Sequence, residues 1–354
     1  MFRFNISQLA FFVAMIALLS AVLPIVIMAY AAPKAPVEIG TRLPGGILEQ
    51  QGSEAMDAID SGTVTLSDED IVITVFLHES GDAVDMTMRE YLCAVLMAEV
   101  PYSFDSEALC AMAVAARSYA LYKIKNSEHY LHAHEAVICS DYAHCMAYLS
   151  LDGASERWGE SWAEMVYPKM LSAVIETDKK VLCYDGEIIN ALFHAISSTY
   201  TASAESVWGY DVPYLQSVES PEPSDIDGFF GESVFSIDEF CRRLADDCKF
   251  FGGRDEYIGE CVRDSSGRVQ KILICGTEIA GVRIRELFGL RSANFEVSLD
   301  GDTVVFSTEG YGHGVGMSQY GASEMAKEGF GAGQILEQYY SGAKVQDLCA
   351  QMLD

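Results

Sequence analysis

An uncharged stretch near the N-terminus constrains this chain more than any other feature of its sequence. Residues 9–32 form 24 consecutive positions without a charge, and only Ser20 and Pro24 interrupt their apolar character. A helix of that length crosses roughly 30 Å of hydrocarbon. It is longer than the apolar core of a cleavable signal peptide, which is about 7–15 residues. We predict an uncleaved single-pass membrane anchor at 1–32, with removal at the Ala29-Tyr30-Ala31 motif as the alternative.

The rest of the chain is long enough to form a folded region with a hydrophobic core of its own. A long folded segment that follows a single N-terminal span usually ends up on the extracytoplasmic side. Residues 33–65 contain several prolines and glycines and are predicted to be a linker, and residues 66–350 are predicted to be the folded domain. The chain has 52 acidic and 23 basic residues, a net charge of −29. Such a surface repels phosphate backbones, so we expect no nucleic-acid partner.

Hydrophobic periodicity predicts a mixture of helices and antiparallel strands. Residues 72–77 form a β-branched run that is typical of a strand, and residues 87–90 have the pattern of a capping box that opens a helix. Pro101 is expected to end that helix, because helical geometry is disfavoured in the residue before a proline. Hairpins are predicted at 261–274 and 295–308. Helices and strands are segregated, so we predict an α+β fold with a central cleft.

Glu99 is the candidate catalytic residue on physical grounds. It falls at the end of the helix, on the stripe that Leu92, Val95 and Leu96 define. A carboxylate there is partly desolvated and close to the negative end of the helix dipole, and both effects raise its pKa. A carboxyl group that is protonated near neutral pH can act as the acid that cleaves a glycosidic bond. The alternative is that Glu99 faces outward or pairs with Arg117.

A segment rich in histidine and cysteine is a separate candidate site. Two cysteines and three histidines lie within the 14 residues from His132 to Cys145, a composition that suits tetrahedral zinc. The expected ligands are His134, Cys139, His144 and Cys145. Four protein ligands leave no open position for water, so the zinc would be structural and the chemistry would require no cofactor. A Cys139–Cys145 disulfide, or a pair of free thiols, is the alternative.

Three distinctive blocks follow one another along the chain. Block one, residues 99–120, contains Glu-Val-Pro, Glu-Ala-Leu and Ala-Val-Ala-Ala-Arg-Ser-Tyr-Ala. Block two, residues 193–215, contains Phe-His-Ala-Ile-Ser-Ser and Val-Trp-Gly, and block three, residues 310–322, is Gly-Tyr-Gly-His-Gly-Val-Gly-Met-Ser-Gln-Tyr-Gly-Ala. Their order and content resemble the stage II sporulation protein D family. The family usually has Ser-Gly-Gly where this chain has Ser197-Ser198-Thr199.

The resemblance implies a lytic transglycosylase that cleaves the MurNAc–GlcNAc bond of peptidoglycan without water. Glu99 would protonate the glycosidic oxygen and then take the proton of the sugar's own 6-hydroxyl, which closes a 1,6-anhydro ring. This intramolecular attack replaces the second carboxylate that a hydrolase needs. The residues expected to contact the glycan are Arg117, Tyr119, His194, Ser197, Ser198, Tyr200, Thr201, His313, Ser318 and Gln319. Arg117 either holds the muramyl lactate carboxylate or braces Glu99 or a helix end.

The glycines of block three are expected either to bring the backbone close to a ligand or to form a structural loop. The resemblance also implies engulfment during sporulation, at the mother-cell membrane facing the forespore. Its implied partners are glycan strands, a cell-wall amidase/endopeptidase that strips their peptides, and a membrane scaffold. Two other functions are open: a non-catalytic enhancer of a cell-wall amidase, and a zinc amidase centred on the histidine and cysteine segment.

Overall fold

The folded part of the chain is described by a computed structural model that covers residues 40–41, 65–126, 132, 136–222, 225–253 and 256–353. Within these ranges there is no helix with the length and apolar character needed to cross a membrane. The anchor predicted at 1–32 lies outside the described residues, as does nearly all of the linker predicted at 33–65.

The described chain contains both helices and strands, and most of its strand pairs are antiparallel, which agrees with the predicted α+β class. The strands are β1 Gly40–Thr41, β2 Ile71–Leu77, β3 Asp82–Thr87, β4 Ile138–Cys139, β5 Lys180–Tyr184, β6 Glu187–Ile188, β7 Phe193–His194, β8 Phe230–Ser236, β9 Ile258–Arg263, β10 Val269–Ile274, β11 Thr277–Ala280, β12 Phe295–Asp300, β13 Thr303–Glu309, β14 Met317–Ser318 and β15 Lys344–Asp347. The helices are α1 Met88–Glu99, α2 Ser106–Lys125, α3 Leu151–Trp158, α4 Glu160–Glu176, α5 Ala204–Trp208, α6 Ile237–Arg243, α7 Gly281–Phe288, α8 Gln319–Lys327 and α9 Ala332–Tyr339.

Strand β2 is the centre of the first sheet. It pairs with β3 in antiparallel and with β4 in parallel. Ile71 and Ile73 are buried on the same face, as the alternation of the β-branched run predicts. The parallel pairing places Cys139 opposite Phe76, so the histidine and cysteine segment lies beside this sheet.

Helix α1 begins and ends where the sequence predicts. The side chain of Thr87 accepts a hydrogen bond from the Glu90 backbone N–H at 3.2 Å, and the Glu90 carboxylate accepts one from the Thr87 N–H at 2.8 Å. This reciprocal pair is the predicted capping box. The helix ends at Glu99 because Val100, which precedes Pro101, is held in an extended conformation.

Helix α2 is the central helix of this part of the fold. Residues 108–116 are buried without exception, and most of them are alanine. A helix that is apolar on all sides has to be surrounded by other elements. Helix α2 accordingly packs against α1, α4, α8 and α9. The small alanine side chains let these neighbours approach closely.

The segment from β8 to β13 builds a second apolar core. Strands β8, β13 and β12 form one antiparallel sheet, and β9, β10 and β11 form another. Between them pack the rings of Phe240, Phe288 and Phe306, whose centroids lie 5.0 to 6.3 Å apart. The hairpins predicted at 261–274 and 295–308 are confirmed as β9–β10 and β12–β13.

A short parallel pair joins blocks two and three. Phe193 pairs with Met317, and His194 with Ser318, across β7 and β14. The prediction of antiparallel strands alone is therefore wrong here and at β2–β4. Parallel strands require a long crossover, and in this case the whole second core lies between them in sequence. We call this pairing the β7–β14 junction.

Candidate active site

Glu99 lies at the end of α1, and neutral donors hold both oxygens of its carboxylate. The backbone N–H of Ala147 donates to Oε1 at 2.6 Å. The side-chain amide of Gln319 donates through Nε2 to Oε2 at 3.0 Å. These groups come from α1, from the loop before α3 and from the first position of α8. Three separate elements therefore fix the carboxyl group in one orientation, as a reacting acid requires.

Burial raises the pKa of Glu99 above the usual value of a glutamate. The hydrogen bonds from Ala147 and Gln319 oppose that rise because they stabilise the ionised form, but they do not cancel it. The direction of the shift is the one that the sequence predicts. The suggested pairing of Glu99 with Arg117 is wrong, because the guanidinium of Arg117 is bound by Asp68.

Arg117 is a structural residue. Its guanidinium donates to both oxygens of Asp68, through Nε at 2.7 Å and Nη2 at 2.6 Å, and through Nη1 to the Lys180 carbonyl at 2.9 Å. The side chains of this ion pair are at most 1% exposed. The expectation that Arg117 contacts the glycan is therefore corrected, since no face of the guanidinium is left for a substrate carboxylate. Arg117 braces a helix end, as one of its expected roles had it. Its Nη2 also donates to the Val174 carbonyl in the last turn of α4, at 3.4 Å.

Ser318 positions Gln319. Its Oγ caps α8 by accepting from the Gly321 N–H at 3.2 Å, and it donates to the Ala195 carbonyl at 3.3 Å. Because Gln319 is the first residue of α8, this cap sets the direction from which the amide approaches Glu99. Ser318 is fully buried, so its expected contact with the glycan is replaced by an indirect role.

The glycines of block three bring it against block two. Gly316 has a φ of +74°, and a Cβ at this position would collide with the carbonyl oxygen of Leu192. Gly314 has a φ of +84°, and a Cβ there would collide with the guanidinium of Arg268. Both positions need glycine for the positive φ and for the close approach. These contacts support the structural loop, the second of the two expectations for the block.

His194 is buried at the β7–β14 junction. Its Nε2 lies 2.7 Å from Ser197 Oγ, and its Nδ1 lies 3.2 Å from the Val315 carbonyl oxygen. Since a carbonyl only accepts, Nδ1 carries the hydrogen and Nε2 accepts from the serine hydroxyl. Burial lowers the pKa of His194 well below its usual value, so the ring is neutral near pH 7.

The residues expected to contact the glycan divide by their exposure. Besides Arg117, the buried ones are Tyr119, His194, Ser197, Ser198, Thr201, Ser318 and Gln319. Of these, Ser198 lines a cavity and Gln319 bonds to Glu99. The other five side chains are enclosed by the fold, so the expected direct contact with a strand on the surface is corrected for them. Tyr119 lies beside the histidine and cysteine cluster, where Lys123 Nζ is 5.1 Å from its ring centroid.

Three of the expected residues lie at a surface or a cavity. Ser198 and Tyr200 line a cavity of about 860 Å³ whose other walls come from β8, β12, β13 and the β9–β10 turn. Tyr200 is 42% exposed, and His313 is partly exposed. These side chains remain available to a ligand.

Four donor side chains converge beside β4. They belong to His132, Cys139, His144 and Cys145, and their ligand atoms lie within 4.8 Å of one another. Cys145 Sγ is 3.7 Å from His132 Nε2 and 3.5 Å from His144 Nδ1. Tetrahedral zinc with bonds of about 2.0–2.3 Å separates its ligands by roughly 3.3–3.8 Å, so the donors fit this metal. The predicted ligand His134 lies outside the described residues, and His132 occupies the fourth position of the cluster.

The cluster favours an ionised thiol. Hydrogen bonding from Cys139, assisted by His144 and Lys123, lowers the pKa of Cys145, and Lys123 Nζ donates to its Sγ at 3.2 Å. Thiolate is the form that binds zinc. Both cysteines are free thiols, so the suggested disulfide is not formed. Cys145 precedes Ala147 by two positions, so the cluster supports the loop that holds Glu99.

Glu222 is a buried carboxyl group that sequence patterns did not indicate. Its Oε1 accepts from the Ser197 N–H at 2.8 Å and from Ser220 Oγ at 2.9 Å. Its Oε2 is buried without a hydrogen-bond partner among the described residues. Burial raises the pKa of Glu222 to about 7. The residue stands in a polar turn without helical or strand periodicity, so only its neighbours in space mark it.

The chain is similar in sequence to known sporulation proteins. A family model described as Stage II sporulation protein matches residues 78–184, which include Glu99 and the cysteines of the cluster. The chain is 34% identical over 287 residues to Stage II sporulation protein D of Bacillus subtilis (strain 168), covering 81% of this chain and 82% of that protein. It is 32% identical over 283 residues to Stage II sporulation protein D of Bacillus amyloliquefaciens, covering 80% and 81%. Similarity to the amidase enhancer of Bacillus subtilis (strain 168) is lower, at 26% over 302 residues, covering 71% of this chain and 39% of that protein.

Proposed function

The chain belongs to the stage II sporulation protein D family, and on that premise we propose that it is a lytic transglycosylase acting on peptide-stripped peptidoglycan, with Glu99 as its acid and base. The setting of Glu99 carries the proposal. It is a partly buried carboxyl group with a raised pKa, oriented by one backbone N–H and one side-chain amide. Such a group can donate a proton and still be stabilised after it has done so.

Glu99 acts twice in the proposed reaction. It first donates its proton to the glycosidic oxygen while the bond between that oxygen and the anomeric carbon of MurNAc breaks. The donors Ala147 and Gln319 stabilise the carboxylate that remains. The carboxylate then accepts the proton of the 6-hydroxyl, whose oxygen bonds to the anomeric carbon and closes the 1,6-anhydro ring. Glu99 ends the cycle protonated, as it began.

The neutrality of the two donors supports this double role. A cation within about 4–6 Å of Glu99 would favour the ionised form and remove the acid. Arg117, a cation of the same sequence block, is bound by Asp68 instead. Intramolecular attack by the 6-hydroxyl needs no activated water, so one carboxyl group is sufficient.

A second candidate is a non-catalytic glycan-binding enhancer of a cell-wall amidase. The similarity to the amidase enhancer of Bacillus subtilis favours it. In that function the protein would bind the strand and stimulate a partner enzyme without breaking a bond. The two candidates therefore differ in whether the protein alone releases products.

The proposed setting is the one that the resemblance to the family implies. Residues 1–32 anchor the chain in the mother-cell membrane, and the catalytic region faces the forespore outside the cytoplasm. A cell-wall amidase/endopeptidase strips the stem peptides during engulfment, and a membrane scaffold holds the machinery together. Zinc in the cluster formed by His132, Cys139, His144 and Cys145 is proposed to be structural, since its four protein donors leave no position for a reacting water.

The test uses the full chain and amidase-treated peptidoglycan. Products of the unchanged protein and of Glu99→Gln are separated and identified by mass spectrometry. Glu99→Gln keeps the size of the side chain but has no acidic proton, so the variant is expected to lose bond cleavage and to keep glycan binding. Release of 1,6-anhydro-muramyl fragments by the unchanged protein alone is the expected result.

Two other results would redirect the proposal. Fragments with ordinary reducing ends would mean that water attacks the anomeric carbon and that a second carboxyl group takes part. Binding of the strand without any product, together with a faster reaction of a purified cell-wall amidase, would establish the enhancer instead.

A further inference from the structure

Four aromatic rings run in an unbroken series from the β7–β14 junction to the surface. The centroid of His313 lies 5.7 Å from that of His194 and 5.9 Å from that of Trp208, and Trp208 lies 6.4 Å from Tyr210. Exposure increases outward, from 4% for His194 to 40% for Trp208 and 60% for Tyr210. We call these four residues the ring series. Its outer rings form an aromatic surface that folding does not bury, which is typical of a binding site.

The ring series starts beside the candidate active site. His194 pairs in register with Ser318. The residue after Ser318 is Gln319, whose amide donates to Glu99. A strand that is cut at Glu99 has sugars on both sides of the reacting bond, and these sugars have to lie on a surface continuous with the site. The ring series connects the β7–β14 junction, beside this site, to exposed aromatic rings.

Trp208 is positioned by a short helix that is capped at both ends. Trp208 is the last residue of α5, which Ser203 caps at its start and Gly209 closes with a φ of +81°. The Ala202 N–H, just before the helix, donates to the Gly314 carbonyl at 2.7 Å. Since the rings are already positioned, a ligand loses little free energy in ordering them.

Three arginines lie around the block that carries His313. The guanidinium of Arg291, which is partly exposed, lies 5.0 Å from the ring centroid of Tyr311. Burial, and then the charges of Arg285 and Arg268, lower the pKa of His313. Carboxylates act on two of them: Asp264 and Glu222 on Arg268, and Glu286 on Arg285. Arg291 donates through Nη1 to the Phe230 carbonyl at 3.3 Å, and it places a positive charge at this surface in a protein of net charge −29.

We propose that His313, Trp208 and Tyr210, together with Arg291, bind the sugars of a stripped glycan strand that flank the bond at Glu99. The identity of the ligand rests on the proposed function. Pyranose rings present faces of C–H groups that pack against aromatic rings. A stripped strand also carries one lactate carboxylate per MurNAc, which the acidic surface repels and Arg291 attracts.

The test measures binding in the absence of cleavage. The full chain with Glu99→Gln is the background, and calorimetry follows two probes: stripped glycan strands, which carry lactate, and the neutral hexamer of N-acetylglucosamine. Trp208→Ala is expected to weaken the binding of both probes by about tenfold. Arg291→Gln is expected to weaken only the lactate-bearing strands, with an effect that high salt removes, and Arg291→Lys to retain most of the affinity.

A matched control comes from another surface tryptophan. Trp158 on α3 is 43% exposed and does not belong to the ring series, so Trp158→Ala is expected to leave both affinities unchanged. Tyr210→Ala provides a second measurement should Trp208→Ala fail to fold, because Tyr210 is the most exposed ring of the series.

Several results would overturn the proposal. One is an unchanged affinity in a folded Trp208→Ala or Tyr210→Ala chain, and another is a background chain that binds neither probe. A third is a Trp208→Ala or Tyr210→Ala chain that keeps its glycan affinity but no longer binds a purified cell-wall amidase. That result would assign the surface to a protein partner. Tight, tryptophan-dependent binding by a protein that releases no anhydro products would support this proposal and refute the proposed catalysis.

Discussion

The side-chain amide of Gln319 lies 3.0 Å from the carboxylate of Glu99, although 220 positions of sequence separate the two residues. The contact joins blocks one and three. It depends on the Ser318 cap and on the β7–β14 junction, which place the first turn of α8 against the end of α1. The protonation of Glu99 is therefore sensitive to a residue far from it in sequence.

Removal of the Gln319 amide is expected to change the pH dependence of glycan cleavage. The amide stabilises ionised Glu99, so Gln319→Leu raises the pKa of Glu99 further. An acid works only while it is protonated, so the alkaline limb of the pH–rate profile moves to higher pH. Below that limb, the cleavage rate falls by about tenfold, because the Glu99 carboxylate formed in the reaction loses the hydrogen bond from Gln319. Initial rates of anhydro-product release measure both effects.

The matched control is Gln338→Leu, which removes an amide that donates to the Glu219 carbonyl at 3.0 Å and has no other hydrogen bond among the described residues. It is expected to leave the profile in place. An alkaline limb that moves to lower pH in Gln319→Leu would contradict the role assigned to the amide.

Asp68→Asn is expected to destabilise the fold by about 3–5 kcal/mol, because it leaves the buried guanidinium of Arg117 without its counter-charge. Urea unfolding measures the loss, and the slope of the free energy of unfolding against urea concentration is expected to equal that of the parent protein. Glu187→Gln breaks the more exposed ion pair with Lys125 and is expected to cost about 1 kcal/mol or less. If Arg117 instead served the substrate, Asp68→Asn would weaken glycan binding and leave the free energy of unfolding unchanged.

Glu222 is expected to make the folded state less stable as the pH rises through neutrality. Its pKa is about 7 in the folded chain against an ordinary value of 4.5, mainly because of burial. Between these values the folded state binds more protons than the unfolded state, so the free energy of unfolding falls with increasing pH. The contribution is at most about 3 kcal/mol. Glu222→Gln has no proton to lose, so its free energy of unfolding is expected to fall less over this range.

Urea unfolding of both proteins at about pH 5 and pH 8 provides the comparison. The exposed neighbour supplies the control variant, Glu219→Gln, which is expected to follow the parent protein. Parallel curves for the parent and Glu222→Gln would show that Glu222 does not titrate in this range.

Cys145→Ser is expected to release a zinc ion and to lower the thermal midpoint by roughly 10 °C, because structural zinc contributes directly to folding. Zinc per chain is measured by atomic emission, and the midpoint by calorimetry with and without a chelator. Cys349→Ser changes a thiol outside the cluster and is expected to retain the metal. A parent protein that binds no zinc at micromolar concentration would contradict the assignment of the cluster.

Features that depend on neighbouring residues were predictable from the sequence. The Thr87–Glu90 cap, the end of α1 before Pro101 and the hairpins involve partners a few positions apart, so a local pattern contains both halves of each interaction. The position of Glu99 on the buried side of a helix end followed from the same helical periodicity.

Partners from distant segments were not predictable in this way. Arg117 belongs to a block that suggests a substrate contact, yet its counter-charge is Asp68, 49 positions away, in a turn without a pattern of its own. Ala147 contributes a backbone N–H, for which the identity of the side chain gives no signal. Eight of the ten expected glycan contacts are buried. The same polar residues can line a cleft or join two segments, and only packing distinguishes these roles.

The sequence by itself determined the α+β class, the helix that ends in Glu99 and the set of side chains able to act as acid or metal ligand. Only the tertiary structure decided that Ala147 and Gln319 meet the carboxylate, that Asp68 removes Arg117 from it, and that a series of rings leads away from it. The physical reason is that desolvation and hydrogen bonding act over a few ångströms of space. The groups that produce them here come from segments that folding alone brings together.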